Sequence, residues 1–307
     1  MSLIRAGGCR RGFTLAELAV ALGFALALAG LAHQLLLTGQ RTVLTQSERA
    51  ALQDNVRVGA LIVANELRDL GFDSVPELVG IGLAPVASSD ILAGQPGRIR
   101  YRTTRGLGFT CWAPSSAFVV IRAASWIGLR QPVAGVDSIA LYLEGDPDLP
   151  DDDAWVRARV IGVGAAGCPD GTAAIALTIA WEAPAAGAAA AARALAGDPV
   201  RLFEIMELAY YRSEGAFWLG QRSVSRGEVL QPLVGPLADS TAGTRGFSLT
   251  YLDRSGAPTA VPAEVRSVGI SLRGVTARPV RASRVDRAVV DTFVIQSRVT
   301  LRNMVRP

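Results

Sequence analysis

A chain of 307 residues, half of them apolar, is long enough to bury a large core and too apolar to stay disordered. All 31 basic residues are arginine and the single histidine is His33, which excludes lysine Schiff bases, P-loop lysines, histidine-activated nucleophiles and histidine zinc sites. The formal charge of +4 falls to +1 without Arg5, Arg10 and Arg11 (4 − 3 = 1), so the basicity is local and no nucleic-acid contact is evident.

The first element is an apolar run from Phe13 to Leu37, 25 residues with one charge, Glu17. As a helix it spans about 37 Å, enough for a bilayer core of about 30 Å with some tilt. A carboxylate at the centre of such a helix costs about 2.5–3.5 kcal/mol, less toward its end, so it calls for a partner. A cut between Gly12 and Phe13 would supply one, because the new α-amino group would lie about one helical turn from Glu17. The alternatives are a plain anchor or a signal peptide, with Gly30-Leu31-Ala32 as a small-x-small cleavage site. Against the signal peptide, the run is longer than a typical signal core and begins with the acid.

The helical pattern continues past the membrane edge. Leu44, Leu52, Val56, Gly59, Val63, Leu67 and Leu70 keep spacings near three and four, with Glu48 filling the one gap. One helix is therefore expected from Phe13 to Leu70, about 87 Å long, with a bend at Gly39 and Gly71 as terminator. Its segment 38–71 is the amphipathic half that packs on a globular domain.

From residue 72 the texture changes to short β-like runs between Gly, Pro and Asp turns. The expected strands are 98–103, 117–123, 137–143, 155–163, 173–181, 201–211, 216–223, 246–252, 264–273 and 291–301. Several alternate apolar and polar residues, as half-buried antiparallel strands do. Tyr210 to Trp218 reads as a hairpin through Ser213-Glu214-Gly215. The alanine-rich segment 183–197 reads as a surface loop or a short helix. The fold class is α+β.

A basic leader, then Gly12, Phe13, Thr14, Leu15 and Glu17 ahead of a spanning run, resembles the type IV prepilin family. The resemblance implies a leader (1–12) removed by a prepilin peptidase, a membrane and assembly helix (13–37), and a β-rich pilin domain (72–307). It implies cleavage after Gly12, N-methylation of Phe13, and a role for Glu17 in aligning subunits. Softer matches at 51–57, 66–72, 264–272 and 301–303 are most similar to the PilW group of minor pilins, which overlaps the secretion pseudopilins called J. A minor pilin would be a non-enzymatic subunit that helps to prime a pilus. Its partners would be major and minor pilins, the prepilin peptidase, the inner-membrane assembly platform and the membrane itself, through 13–37. It would sit in the inner membrane with a periplasmic domain, then in the extracellular fibre. The alternatives are a J-type pseudopilin of type II secretion and a membrane-anchored or secreted adhesin-like domain.

Cys9 falls in the leader, which leaves Cys111 and Cys168 as an even pair in a domain facing an oxidising compartment. A disulfide is expected between them, with two buried thiols as the alternative. Gly162-Val163-Gly164-Ala165-Ala166-Gly167 has dinucleotide-motif spacing, but Cys168-Pro169-Asp170-Gly171 is a turn where a helix N-terminus would be needed. It reads as a glycine-rich loop ending a strand. The acidic run with Asp146, Asp148, Asp151, Asp152 and Asp153 is a calcium candidate set against a solvated loop, and its register fails the EF-hand pattern. No cofactor is expected. A carboxylate pair for glycosidase-type chemistry meets only in space, and no aromatic-rich cleft is evident.

Overall fold

The computed structural model describes residues 14–80, 82–112, 115–146, 148–149, 152–240, 245–281 and 288–301. Gly12, Phe13, Asp151 and the 302–303 pair of the C-terminal match lie outside the described residues. Helix α1 runs from Leu15 to Arg68, 54 residues and about 81 Å, and continues through Gly39 without interruption. Among the described residues it is the one helix long and apolar enough to cross a membrane.

The helix stops earlier than its periodicity suggests. Asp69 is the C-cap, Leu70 is buried, and the Gly71 amide donates to the Asp90 carboxylate at 2.8 Å instead of ending the helix. Docking also begins later than expected. Leu52, Val56, Gly59, Ala60, Val63 and Leu67 are buried, whereas Leu44 is 60% exposed because the sheet does not reach its turn.

Strands then follow one another almost without helix: β1 (Phe72–Val79), β2 (Ala84–Ser89), β3 (Ile91–Gln95), β4 (Arg98–Phe109), β5 (Phe118–Arg122) and β6 (Ile127–Gly128). After β7 (Ser138–Leu143), β8 (Ala154–Gly167) and β9 (Ala173–Trp181), the alanine-rich segment forms α2 (Pro184–Arg193). The chain closes with β10 (Pro199–Ser213), β11 (Ala216–Ser223), β12 (Gln231–Leu237), β13 (Phe247–Leu252), β14 (Ser267–Val275), the two-residue pair β15 (Val280–Arg281) and β16 (Ala288–Val289), and β17 (Thr292–Thr300). Most pairings in the large sheet are antiparallel, giving an α+β layout; β1 with β8 is a parallel exception.

Two hydrophobic cores share β10. Along one edge it pairs with β4; along the other, Val200–Phe203 pair with β7 and Met206–Ser213 with β11. Met206 and Leu208 join the core beneath α1, together with β11, β12, β13, β14 and β17. Val200 and Leu202 join a second core with β5, β7, β8, β9 and α2. Among the described residues, β1–β14 and β17 thus form one sheet with two large packing centres, and β15 and β16 pair separately. Burying each of Leu52, Val56, Val63 and Leu67 contributes about 1.5–3 kcal/mol, which seats the C-terminal part of α1 on the first core.

Close approach there depends on glycine. A Cβ on Gly59 would collide with the Val234 side chain of β12, and one on Gly274 would collide with Val56 and Leu52. On the other core, α2 approaches through Ala186 and Ala190, and Gly187 lies against the Trp181 indole. Small side chains are what allow this segment to pack as a helix where a loop was one expectation.

Candidate functional site at the N-terminus of the long helix

From Leu15 to Ala51 no residue of α1 is buried. Leu18, Val20, Leu22, Phe24, Leu26 and Leu28 are each about 60–70% exposed, on every side of the helix. A helix that is apolar all round needs lipid or other helices against it. The projecting part measures about 55 Å, longer than a bilayer core.

At its tip, Thr14 and Glu17 form a capping box. The Thr14 backbone N–H and hydroxyl each donate to Glu17 Oε2 at 3.0 Å, and the Glu17 amide donates to the Thr14 hydroxyl at 3.3 Å. Helix N-termini leave amides unsatisfied, and this exchange satisfies two of them inside an apolar segment. Glu17 Oε1 has no hydrogen-bond partner among the described residues. The spacing Thr14-Leu15-Ala16-Glu17 carries the capping signature, so local sequence could have revealed this role.

Cys111 and Cys168 are joined, with their Cα atoms 5.6 Å apart. Cys168 opens the tight turn of the β8–β9 hairpin, where Gly171 takes a positive φ, and Cys111 follows β4. The bridge ties that hairpin tip to the end of β4. Gly162 to Gly167 belong to β8 and pair with Thr178 to Ala173 of β9, so this motif is strand where a loop was expected. A hairpin turn follows it, not a helix end for a pyrophosphate.

The acidic loop spends its carboxylates locally. Asp153 accepts from the Tyr142 hydroxyl at 2.6 Å and the Gly145 amide at 3.1 Å, while Asp152 accepts from the Asp146 amide at 2.8 Å. Asp146 in turn accepts from the Asp148 amide at 3.1 Å. Among the described residues, no cluster of three or more His, Cys, Asp or Glu is placed to hold a metal ion.

Sequence reading missed the buried charge clusters of the sheet. Glu204, 2% exposed, is ion-paired with Arg105 at 2.8 Å, Arg130 at 3.0 Å and Arg226 at 3.0 Å, and accepts from the Ser223 hydroxyl. Burial raises its pKa, but the bonds from Ser223, Arg105, Arg226 and Arg130 prevail and hold it at about 2. Glu207 pairs similarly with Arg100 and Arg222, and Glu77 with Arg102 and Arg157. Glu204, held ionised by its arginines, has no proton to donate, so its arrangement suits cross-strand fastening.

No protein-family model, no curated protein and no solved structure matches this chain.

Proposed function

We propose that the protein is a non-enzymatic minor subunit of a type IV pilus or of the complex that primes one. In this reading the chain is cut after Gly12, methylated at Phe13 and held in the inner membrane by 13–37 until assembly. The observation that carries it is the uncovered apolar projection of α1, tipped by the Thr14–Glu17 box. A lone span needs only lipid, but one that keeps an acid oxygen unoccupied within its first turn is suited to meet a cation on another subunit. The docked half of α1 ties the projecting helix to the sheet domain, an attachment that suits a fibre subunit.

Shearing surface fibres from the producing cells tests the proposal. The chain should appear in the fibre or membrane fraction, and when the prepilin peptidase is removed it should be lost from the fibre and stay in the membrane as precursor. Recovery as a free secreted domain would contradict it.

A further inference from the structure

We infer that a groove at the junction of α1 and the globular domain binds the phosphate of an anionic phospholipid, an inference that rests on the membrane reading of α1. The groove has a volume of about 240 Å³ and is lined by Arg41, Leu44, Thr45 and Glu48 of the helix and by Arg278, Pro279 and Val280. Arg41 and Arg278 are both exposed, and among the described residues neither has a hydrogen-bond or ion-pair partner. Other arginines sit on carboxylates, among them Arg102, Arg105, Arg130 and Arg157. Two exposed guanidiniums without a partner among the described residues thus line one apolar-walled groove.

Depth identifies the ligand. Arg41 lies four residues beyond Leu37, about 6 Å along the axis. The headgroup layer outside the hydrocarbon is about 5–8 Å thick on each face, so Arg41 reaches the phosphates when Leu37 marks the hydrocarbon edge. Glu48, the one acid among the described residues lining the groove, lies about 16 Å beyond Leu37, past the headgroup layer. Arg41 thus lies at the phosphate layer and Glu48 lies farther from it. Leu44, Pro279 and Val280 supply apolar walls for the glycerol backbone. Arginine forks suit phosphate oxygens, and the Thr45 hydroxyl adds a donor on the same wall. Bound this way, a lipid would hold the base of the domain against the bilayer before the subunit leaves it.

The test uses the full chain in nanodiscs containing phosphatidylglycerol and phosphatidylcholine, with spin-labelled versions of each lipid. Wild type should immobilise phosphatidylglycerol preferentially. Arg41→Gln and Arg278→Gln should each weaken that preference about fivefold, the contribution of one arginine near an anionic surface. Arg41→Lys should retain most of it, and Arg254→Gln, outside the groove, should retain all of it. Resistance to alkaline extraction reports insertion separately. An inserted wild type without lipid preference, or a double variant that keeps it, would overturn the lipid inference alone. Failure to insert would overturn the membrane reading and this inference together. Self-association lost in the double variant, without lipid preference in wild type, would assign the groove to an acid of a second copy and equally overturn it.

Discussion

Glu17 takes both the backbone N–H and the hydroxyl of Thr14 on one carboxylate oxygen, each at 3.0 Å. The acid therefore has a purpose inside its own helix, independent of any neighbour. Capping and subunit alignment make different demands, because glutamine can complete a capping box but carries no charge.

Two substitutions separate these roles. Thr14→Ala should weaken the cap by about 0.5–2 kcal/mol and fray the first turn, yet leave co-purification with partner pilins intact. On the assembly proposal, Glu17→Gln should keep the helix start and lose the partners, because the charge proposed to meet an α-amine in a low-dielectric bundle would be gone. Helix order at Leu15–Leu18 by NMR, alongside pull-down of partner pilins, reads the two effects. If Glu17→Gln retains its partners while Thr14→Ala loses them, the acid serves as a cap alone.

The Cys111–Cys168 bridge joins positions 57 residues apart in sequence. Replacing both cysteines by serine should lower stability by about 2–4 kcal/mol, chiefly by freeing the unfolded chain. Denaturant unfolding under non-reducing conditions measures this, and peptide mapping should recover the two cysteines linked. Equal midpoints for wild type and the double variant would contradict the expectation.

Gly59→Ala tests the close seating of α1. Helix propensity alone favours alanine by about 1 kcal/mol. Against it, the new methyl group meets the stiff, buried side chain of Val234, and overpacking costs about 1–3 kcal/mol. A lower melting temperature is expected, whereas Gly39→Ala, where a Cβ meets open space, should not lower it. A Gly59→Ala protein more stable than wild type would show that the seam is looser than described.

Glu204 predicts the acid response. Its folded pKa of about 2 lies below the ordinary value of 4.5. Its contribution to stability is therefore complete above that ordinary value and lost as pH falls from about 4.5 to 2. Asp170 and Asp253, also held low by hydrogen bonds, lose their contributions over a lower window that opens at their ordinary value of 3.8. Glu204→Gln should cost about 1.5–3 kcal/mol at neutral pH, because the buried carboxylate's charge-assisted bonds to three partly exposed arginines are weakened. It should also flatten the stability profile in that acid window. An unchanged slope would mean that Glu204 is not ionised by its arginines.

Much of the fold was legible because its signals are local. The 3.6-residue period continued from the apolar run into α1, and alternation gave β9 and β11 their bounds of 173–181 and 216–223. The hairpin at Ser213-Glu214-Gly215 was visible from turn chemistry, and both Glu214 and Gly215 take positive φ there. Strands β1 and β12 were not seen, because Pro76, Pro232 and Pro236 speak against strands in isolation. Pairing with β2 and β8, and with β11 and β14, makes them strands. The Glu204 cluster was invisible for a related reason. Its arginines come from β4, from the segment after β6 and from the turn after β11, so no sequence spacing joins them. Leu44 kept the helical period but fell one step beyond the sheet, where periodicity cannot say what lies opposite.

The most direct test of the assembly reading is the intact mass and N-terminal sequence of the protein extracted from membranes of the producing cell. The account predicts a chain that begins at Phe13, carries one added methyl group on its α-amine and resists alkaline extraction. A chain beginning at His33 would show ordinary signal cleavage after Ala32, and one that still begins at Met1 would show no processing at all. Either result would contradict the account.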